Sequence, residues 1–464
     1  MTRTNLNLTD SVPYNFLRLW LPSLGGLMAM TTANIVDGIF IGNYVGVNAL
    51  AAVNLVIPFL GILFGLTLML AMGGTVRAGK YIGEVNNPAA GAIFSKTLLA
   101  VSALAALVTL AGLFFESNLL RALGGSGAVV PLMEIYFRII LGFTWAHLLT
   151  VVMYFFVRVD GYPALAGIAL IAGSAVNIFL DYLFIARLSW GIAGAAWATG
   201  ISQGLPLVIL CAYFFFPGRR LRFRFKQSTW GELFNSAFNG FSEFINEISA
   251  SVIALILNWM FMSRFGVNGV AAITILNYLM ITGLMLIFSV GDAQGVFISH
   301  NFGAKKICRI RHFLLICIFV SLIVAAISIA VVLLFPEVLV TVFVTAQDKE
   351  VVELTIVILG AFWPVFAVNG INLVITSYLT ALHLPLPSAI IALCRSLVLP
   401  VILLFVIFHF LPGRAFILAI PMAEVMTFFL AAFYLLRYFP NKTLLDKLIT
   451  VNSLAYENVT DENP

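Results

Sequence analysis

Twelve separate runs of mostly apolar residues decide what this chain can fold into. They cover residues 14–43, 49–76, 89–115, 129–157, 162–186, 190–216, 231–263, 269–299, 307–335, 351–382, 385–411 and 413–438. Each is long enough to cross a hydrocarbon layer of ~30 Å as a helix. None shows the alternation of a barrel strand, and inside a bilayer a helix satisfies its own backbone. The fold class expected is therefore an all-α integral membrane protein with twelve transmembrane helices. Composition agrees: 62% of the 464 residues are hydrophobic and 10% charged, against an apolar share of about 45–50% in soluble domains. The first run is too long for a cleavable signal and continues into Asp37 instead of a small-residue cleavage site. Cys211, Cys308, Cys317 and Cys394 have no metal spacing and read as free thiols.

The net charge of +5 matters less than where the cations lie. Arg219, Arg220, Arg222, Arg224 and Lys226 crowd the segment between runs six and seven, and Lys305, Lys306, Arg309 and Arg311 follow run eight. Arg77, Lys80 and Lys96 flank the second turn, while the alternate loops hold only Arg121, Arg187, Arg264, Lys349 and Arg414. The positive-inside rule then places both termini and the basic segment in the cytoplasm of a cell inner membrane. The run RRLRFRFK reads as an orientation and membrane-surface signal, with membrane lipid as its partner and no nucleic acid.

The chain also repeats itself. At a shift of 220 residues Gly46-Val47-Asn48 falls on Gly266-Val267-Asn268, Ala51-Ala52 on Ala271-Ala272, and Gly83 on Gly303. Two six-helix lobes related by a pseudo-twofold axis along the membrane normal are expected, with a cleft between them near the midplane. Their bounds are 1–216 for the N-lobe, 217–230 for a cytoplasmic linker, 231–440 for the C-lobe and 441–464 for a cytoplasmic tail.

Against this apolar background a few polar residues stand out. Asp37 lies in the first span, three residues after Asn34, and a carboxylate there needs a partner or a task. In the fifth span Ser174, Asn177 and Asp181 stand at i, i+3 and i+7, one helical face. The sixth span supplies Thr199 and Gln203 at i and i+4. Two carboxylates with amide and hydroxyl oxygens suit Na⁺, which takes several oxygen ligands. They suit a shared H⁺ equally, because two close acids do not both ionise cheaply. The repeat places Leu257, Val401 and Phe405 where Asp37, Asn177 and Asp181 stand, so the acid site is confined to the first half. Glu243 and Glu247, at i and i+4 in the seventh span, are weaker candidates for a cargo cavity, together with Asn34, Ser174 and Gln203. Glu424 and Arg395 read as an interhelical pair. Pro22, lacking an N–H, marks a bend in the first helix.

Several of these patterns resemble the multidrug and toxic compound extrusion (MATE) transporters. They are Pro22, Asn34, Asp37, Phe40-Ile41-Gly42, Gly46 and Ala49-Leu50-Ala51-Ala52-Val53 at the start, and Asn177-x-x-x-Asp181 in the fifth span. Gln294-Gly-Val-Phe-Ile-Ser-His-Asn-Phe-Gly-Ala304 is similar to the family's eighth-helix ending. The resemblance implies a secondary antiporter that expels organic cations and amphiphilic drugs in exchange for H⁺ or Na⁺. It implies an ion site, possible for Na⁺, at Asp37, Asn177, Asp181 and Thr199, and a first helix that bends with ion occupancy. Some members also use C-lobe acids, but the stretch GAFWPVFAVNGINLVITSYL of the tenth span, residues 360–379, contains none. No enzyme activity and no cofactor are expected, and no phosphate-binding G-x-x-x-x-G-K-[ST] occurs. A monomer is expected. The alternatives are a flippase for a lipid-linked precursor on a related two-lobe plan, and a receptor or channel.

Overall fold

A computed structural model describes residues 10–343, 349–411 and 413–442. Most of the expected tail lies outside the described residues. Twelve helices are long and apolar enough to span a membrane. In order they are Val12–Val45, Asn48–Gly83, Asn87–Phe114, Gly127–Val159, Pro163–Arg187, Gly191–Phe215, Phe241–Gly266, Asn268–Gly303, Ile307–Leu334, Lys349–Ala381, Pro385–Phe410 and Ala415–Arg437, the first to twelfth spans below. No strand occurs among the described residues.

The chain divides into two compact units, Met1–Gly240 and Phe241–Pro464. Within the first, span one packs on span five, span four on spans two and six, and span three on spans two and four. Within the second, span ten packs on spans nine and twelve, and span seven on span eleven through Phe241, Ile245, Ala389 and Ala392. The pairings of one unit therefore recur in the other. Their helix bounds repeat too: spans two and three start at Asn48 and Asn87, spans eight and nine at Asn268 and Ile307. Spans one and two are joined at Gly46, φ 109°, and spans seven and eight at Gly266, φ 61°. A Cβ added at either glycine would meet nothing within 4 Å, so it is the positive φ and not crowding that calls for glycine.

The structure moves one boundary. Sequence periodicity starts the seventh span at residue 231, whereas that span begins at Phe241. Residues Trp230–Asn239 form a separate short helix, capped by the Thr229 hydroxyl accepting from the Glu232 N–H at 3.1 Å. This linker helix packs on span two. The approach is close: a Cβ on Gly73 would lie 1.8 Å from the Ser236 carbonyl oxygen, and one on Gly240 2.2 Å from that of Met69. The linker helix is amphipathic, and with no proline between residues 230 and 241 its apolar face runs on into the span.

Candidate functional site

The first unit brings its polar residues together by packing small residues between helices. A Cβ on Gly167 of span five would sit 2.5 Å from the Pro22 carbonyl oxygen of span one, and one on Gly26 would sit 3.1 Å from Leu170. A Cβ on Gly173 would come 2.8 Å from the Ser202 carbonyl oxygen of span six. Such glycines let backbones approach as membrane helices commonly do. Asp37 near the end of span one, Asp181 near the end of span five and Thr199 in the first half of span six then share one depth.

At that depth the helices are irregular in the same way. After Asp37 the backbone widens over Ile41–Val45, where the Gly46 N–H donates to the Ile41 carbonyl at 3.0 Å. Immediately after Asp181 it widens again over Tyr182–Arg187, with the Leu188 N–H donating to Leu183 at 2.9 Å. These five-residue turns are rare and concentrate at functional sites.

The Asp37 and Asp181 carboxyl groups face each other within interaction range. Asp181 is fully buried and Asp37 half-buried. Tyr136 of span four completes the pocket, its hydroxyl beside that of Thr199 and both acids close by. Both oxygens of Asp181, Oδ1 of Asp37 and Oγ1 of Thr199 are buried without a hydrogen-bond partner of ordinary geometry. No Lys or Arg side chain is among the groups acting on either acid. Natural structures rarely leave that many buried oxygens unsatisfied in one place. Tyr136 also belongs to a buried apolar cluster that includes Ile41, Ala52, Val56, Phe137, Ile140 and Ile185.

The other expected residues divide. Asn177, one turn before Asp181, and Ser174 are buried on the same helix face, but no hydrogen bond joins either to the acids. Gln203 is half-buried, its backbone carbonyl accepting from the Thr150 hydroxyl at 3.2 Å. Asn34 is exposed one turn before Asp37 and stands outside the buried cluster. Pro22 lies inside the first helix, and beside it the Ser23 hydroxyl accepts from the fully buried Arg158 Nη2 at 2.7 Å.

The MatE family model matches residues 22–183 and 244–406, more than half of the chain and both halves of the repeat. The chain belongs to the MATE family of transporters. It is similar to the multidrug export protein MepA of Staphylococcus haemolyticus, 24% identical over 92% of this chain and 94% of that protein. Among solved structures it is similar to MATE in complex with MaL6, at a TM-score of 0.88 and 22% identity, covering 96% of this chain and all of that one. An outward-facing multidrug resistance MATE family transporter gives a TM-score of 0.87 at 22% identity, over 97% and 99% of the two chains. These likenesses do not favour a lipid-linked-precursor flippase.

Glu243 and Glu247 lie in the second unit of this MATE protein, on the element that carries Asn246. Arg395 makes no direct hydrogen bond or close ion pair with Glu424, although its charge acts on that carboxylate. Its Nη2 donates to Asn246 Oδ1 at 2.9 Å, where the Ser396 hydroxyl also donates at 2.9 Å. Glu424 accepts from Asn369 at 2.7 Å and from Asn372 at 2.9 Å. Two amides satisfy its oxygens without an ion pair, so this acid is partnered where Asp181 is not.

Sequence reasoning missed Tyr136, Arg158 and the two amides of span ten. Tyr136 stands between Glu134 and Arg138 near the start of span four, and nothing in that stretch points to acids on spans one and five. Asn369 and Asn372 sit at i and i+3 on one face, a spacing that could have flagged them.

Proposed function

We propose that the chain exports organic cations and amphiphilic drugs across a bacterial inner membrane in exchange for H⁺ or Na⁺ taken up at Asp37 and Asp181. The single observation that carries this reading is the buried acid pair with orphaned oxygens and no neighbouring basic side chain. Two adjacent carboxylates out of water need a positive charge between them. In a transporter the exchangeable charge is the coupling ion. The oxygens of Asp37, Asp181 and Thr199 with the Tyr136 hydroxyl would ligate Na⁺, and the carboxyl pair alone would hold H⁺. Asn177 stands one turn deeper on the same face, as a further oxygen when span five rotates or unwinds.

Filling the site removes net charge from the end of span one and so changes which course of that helix is favoured. Pro22 supplies the bend. Its missing N–H leaves one rung of the ladder open, while Gly167 lets span five hold the same turn closely. Ser174 and Gln203 in the first unit, and more weakly Glu243 and Glu247 in the second, are the cargo contacts we propose for each unit by itself. Export of a multidrug type is what the MepA likeness supports. The clustering of Lys and Arg supports a cytoplasmic linker and cytoplasmic termini.

The test is efflux of a fluorescent lipophilic cation from proteoliposomes. Uptake or release driven by an imposed pH or Na⁺ gradient is expected for the wild type and absent for Asp37→Asn at equal protein incorporation. Equal efflux with and without any ion gradient would remove the antiport reading.

A further inference from the structure

The linker does more in this structure than connect two units. It is tied down along its length on the end of the first unit remote from the acid pair. Asp160 Oδ2 accepts from the Arg220 N–H at 2.8 Å and from the Tyr213 hydroxyl at 2.6 Å, and Leu221 is fully buried. The Arg224 N–H donates to Ser95 Oγ at 2.9 Å, and Lys96 donates to the Ser228 carbonyl. Arg77 Nε donates to Glu232 Oε1 at 2.8 Å, and the Tyr81 hydroxyl donates to the same carboxylate. Between these anchors residues 221–224, without regular secondary structure, cross span three, close enough that a Cβ on Gly91 would lie 2.5 Å from the Arg222 carbonyl oxygen.

Phe223 stacks on Phe214, with ring centroids 5.3 Å apart, and also packs on Phe94, so the segment is held against the unit while the ring stays partly exposed. Arg222, Arg224 and Lys226 are exposed, and among the described residues no hydrogen-bond acceptor or ion-pair partner is seen for their side chains. Exposed aromatics occur on the same linker and its flanks: Phe215 at 85%, Phe225 at 52% and Phe234 at 68%. Depth follows from helix length. Span three has 28 residues, about 42 Å at ~1.5 Å per residue, so roughly 6 Å at each end projects beyond a ~30 Å hydrocarbon core. Gly91 lies about one turn in from the start, at the boundary where aromatic rings settle and headgroup phosphates begin.

We infer that Arg222, Arg224 and Lys226 form a prearranged binding comb for the phosphodiester headgroups of anionic phospholipids, with Phe215, Phe225 and Phe234 dipping into the acyl boundary beside it. Three free cations at fixed spacing complement a row of lipid phosphates. The anchors at Asp160, Ser95 and Glu232 hold the backbone in place before lipid arrives, so little ordering is needed on binding. The same anchors tie lipid occupancy to the first unit.

The experiment is native mass spectrometry of the full-length protein in detergent, with phosphatidylglycerol or phosphatidylcholine of identical chains added. Retention of phosphatidylglycerol over phosphatidylcholine is expected, and R222Q/R224Q/K226Q should weaken phosphatidylglycerol retention at least ~tenfold, given about 1 kcal/mol per cation near an anionic surface. The charge-keeping variant R222K/R224K/K226R should restore it. Equal retention of both lipids by the wild type, or undiminished phosphatidylglycerol retention in the triple Gln variant, overturns the inference. So does tighter binding of a short single-stranded oligonucleotide than of phosphatidylglycerol at 150 mM salt. Neither lipid readout depends on transport, so these results stand apart from the efflux test.

Discussion

Replacing Asp37 by Asn removes one of the two facing carboxyl groups at almost constant volume. Expression and detergent stability are therefore expected to hold while gradient-driven efflux is lost, measured as the rate of cation release from proteoliposomes. Tyr136→Phe removes one hydroxyl from the cluster at almost constant volume. Its expected effect is milder, up to about tenfold on apparent ion affinity, the size of one hydrogen bond of about 1 kcal/mol. A Tyr136→Phe protein with unchanged ion dependence would place that hydroxyl outside the site. Asp37 and Asp181 were legible in the sequence because a carboxylate inside an apolar run is costly, and because Asn177 and Asp181 share a helix face. Tyr136 was not. Its role depends on which helix lies opposite, and that is fixed by glycines on spans five and six instead of by anything adjacent to it. Arg395 acts on Glu424 only through its charge, and the direct contacts of both go to Asn246, Asn369 and Asn372, which opposite charge on two spans does not reveal.

At the scale of elements, the contact between spans one and five depends on Gly167. A Cβ there would press on the backbone oxygen of Pro22, which cannot yield without moving the helix. Gly167→Ala is expected to cost about 1–3 kcal/mol, as overpacking does, and to lower the thermal unfolding midpoint in detergent. Gly167→Leu should in addition impair efflux, because it holds span one away at its bend. A Gly167→Leu protein as stable and active as the wild type would show that the close contact is dispensable. Glu232→Gln leaves Arg77 buried beside a neutral partner, with both side chains under a tenth exposed. A loss on the order of 3 kcal/mol is expected for breaking such a pair, read again as a lower unfolding midpoint. Helix existence was legible from apolar length throughout. The linker helix was not separated from span seven, since its apolar face continues the helical spacing up to Gly240 and no proline marks the break.

Across the whole molecule, the repeat is preserved in helix bounds and turns while the acids are not. Glycine turns and apolar lengths build each six-helix unit, and they survive at a constant shift because either unit needs them to fold. The polar residues diverge: an unsatisfied acid pair in the first unit, an amide-satisfied Glu424 in the second. That difference is the central claim, that ion coupling resides in the first unit. The direct measurement is cation efflux from proteoliposomes with the Na⁺ and pH gradients imposed separately, for the wild type, Asp181→Asn and Glu424→Gln. The account predicts that Asp181→Asn alters or abolishes the response to the driving ion while Glu424→Gln leaves it intact. An unaltered ion response in Asp181→Asn, with loss in Glu424→Gln, would contradict it.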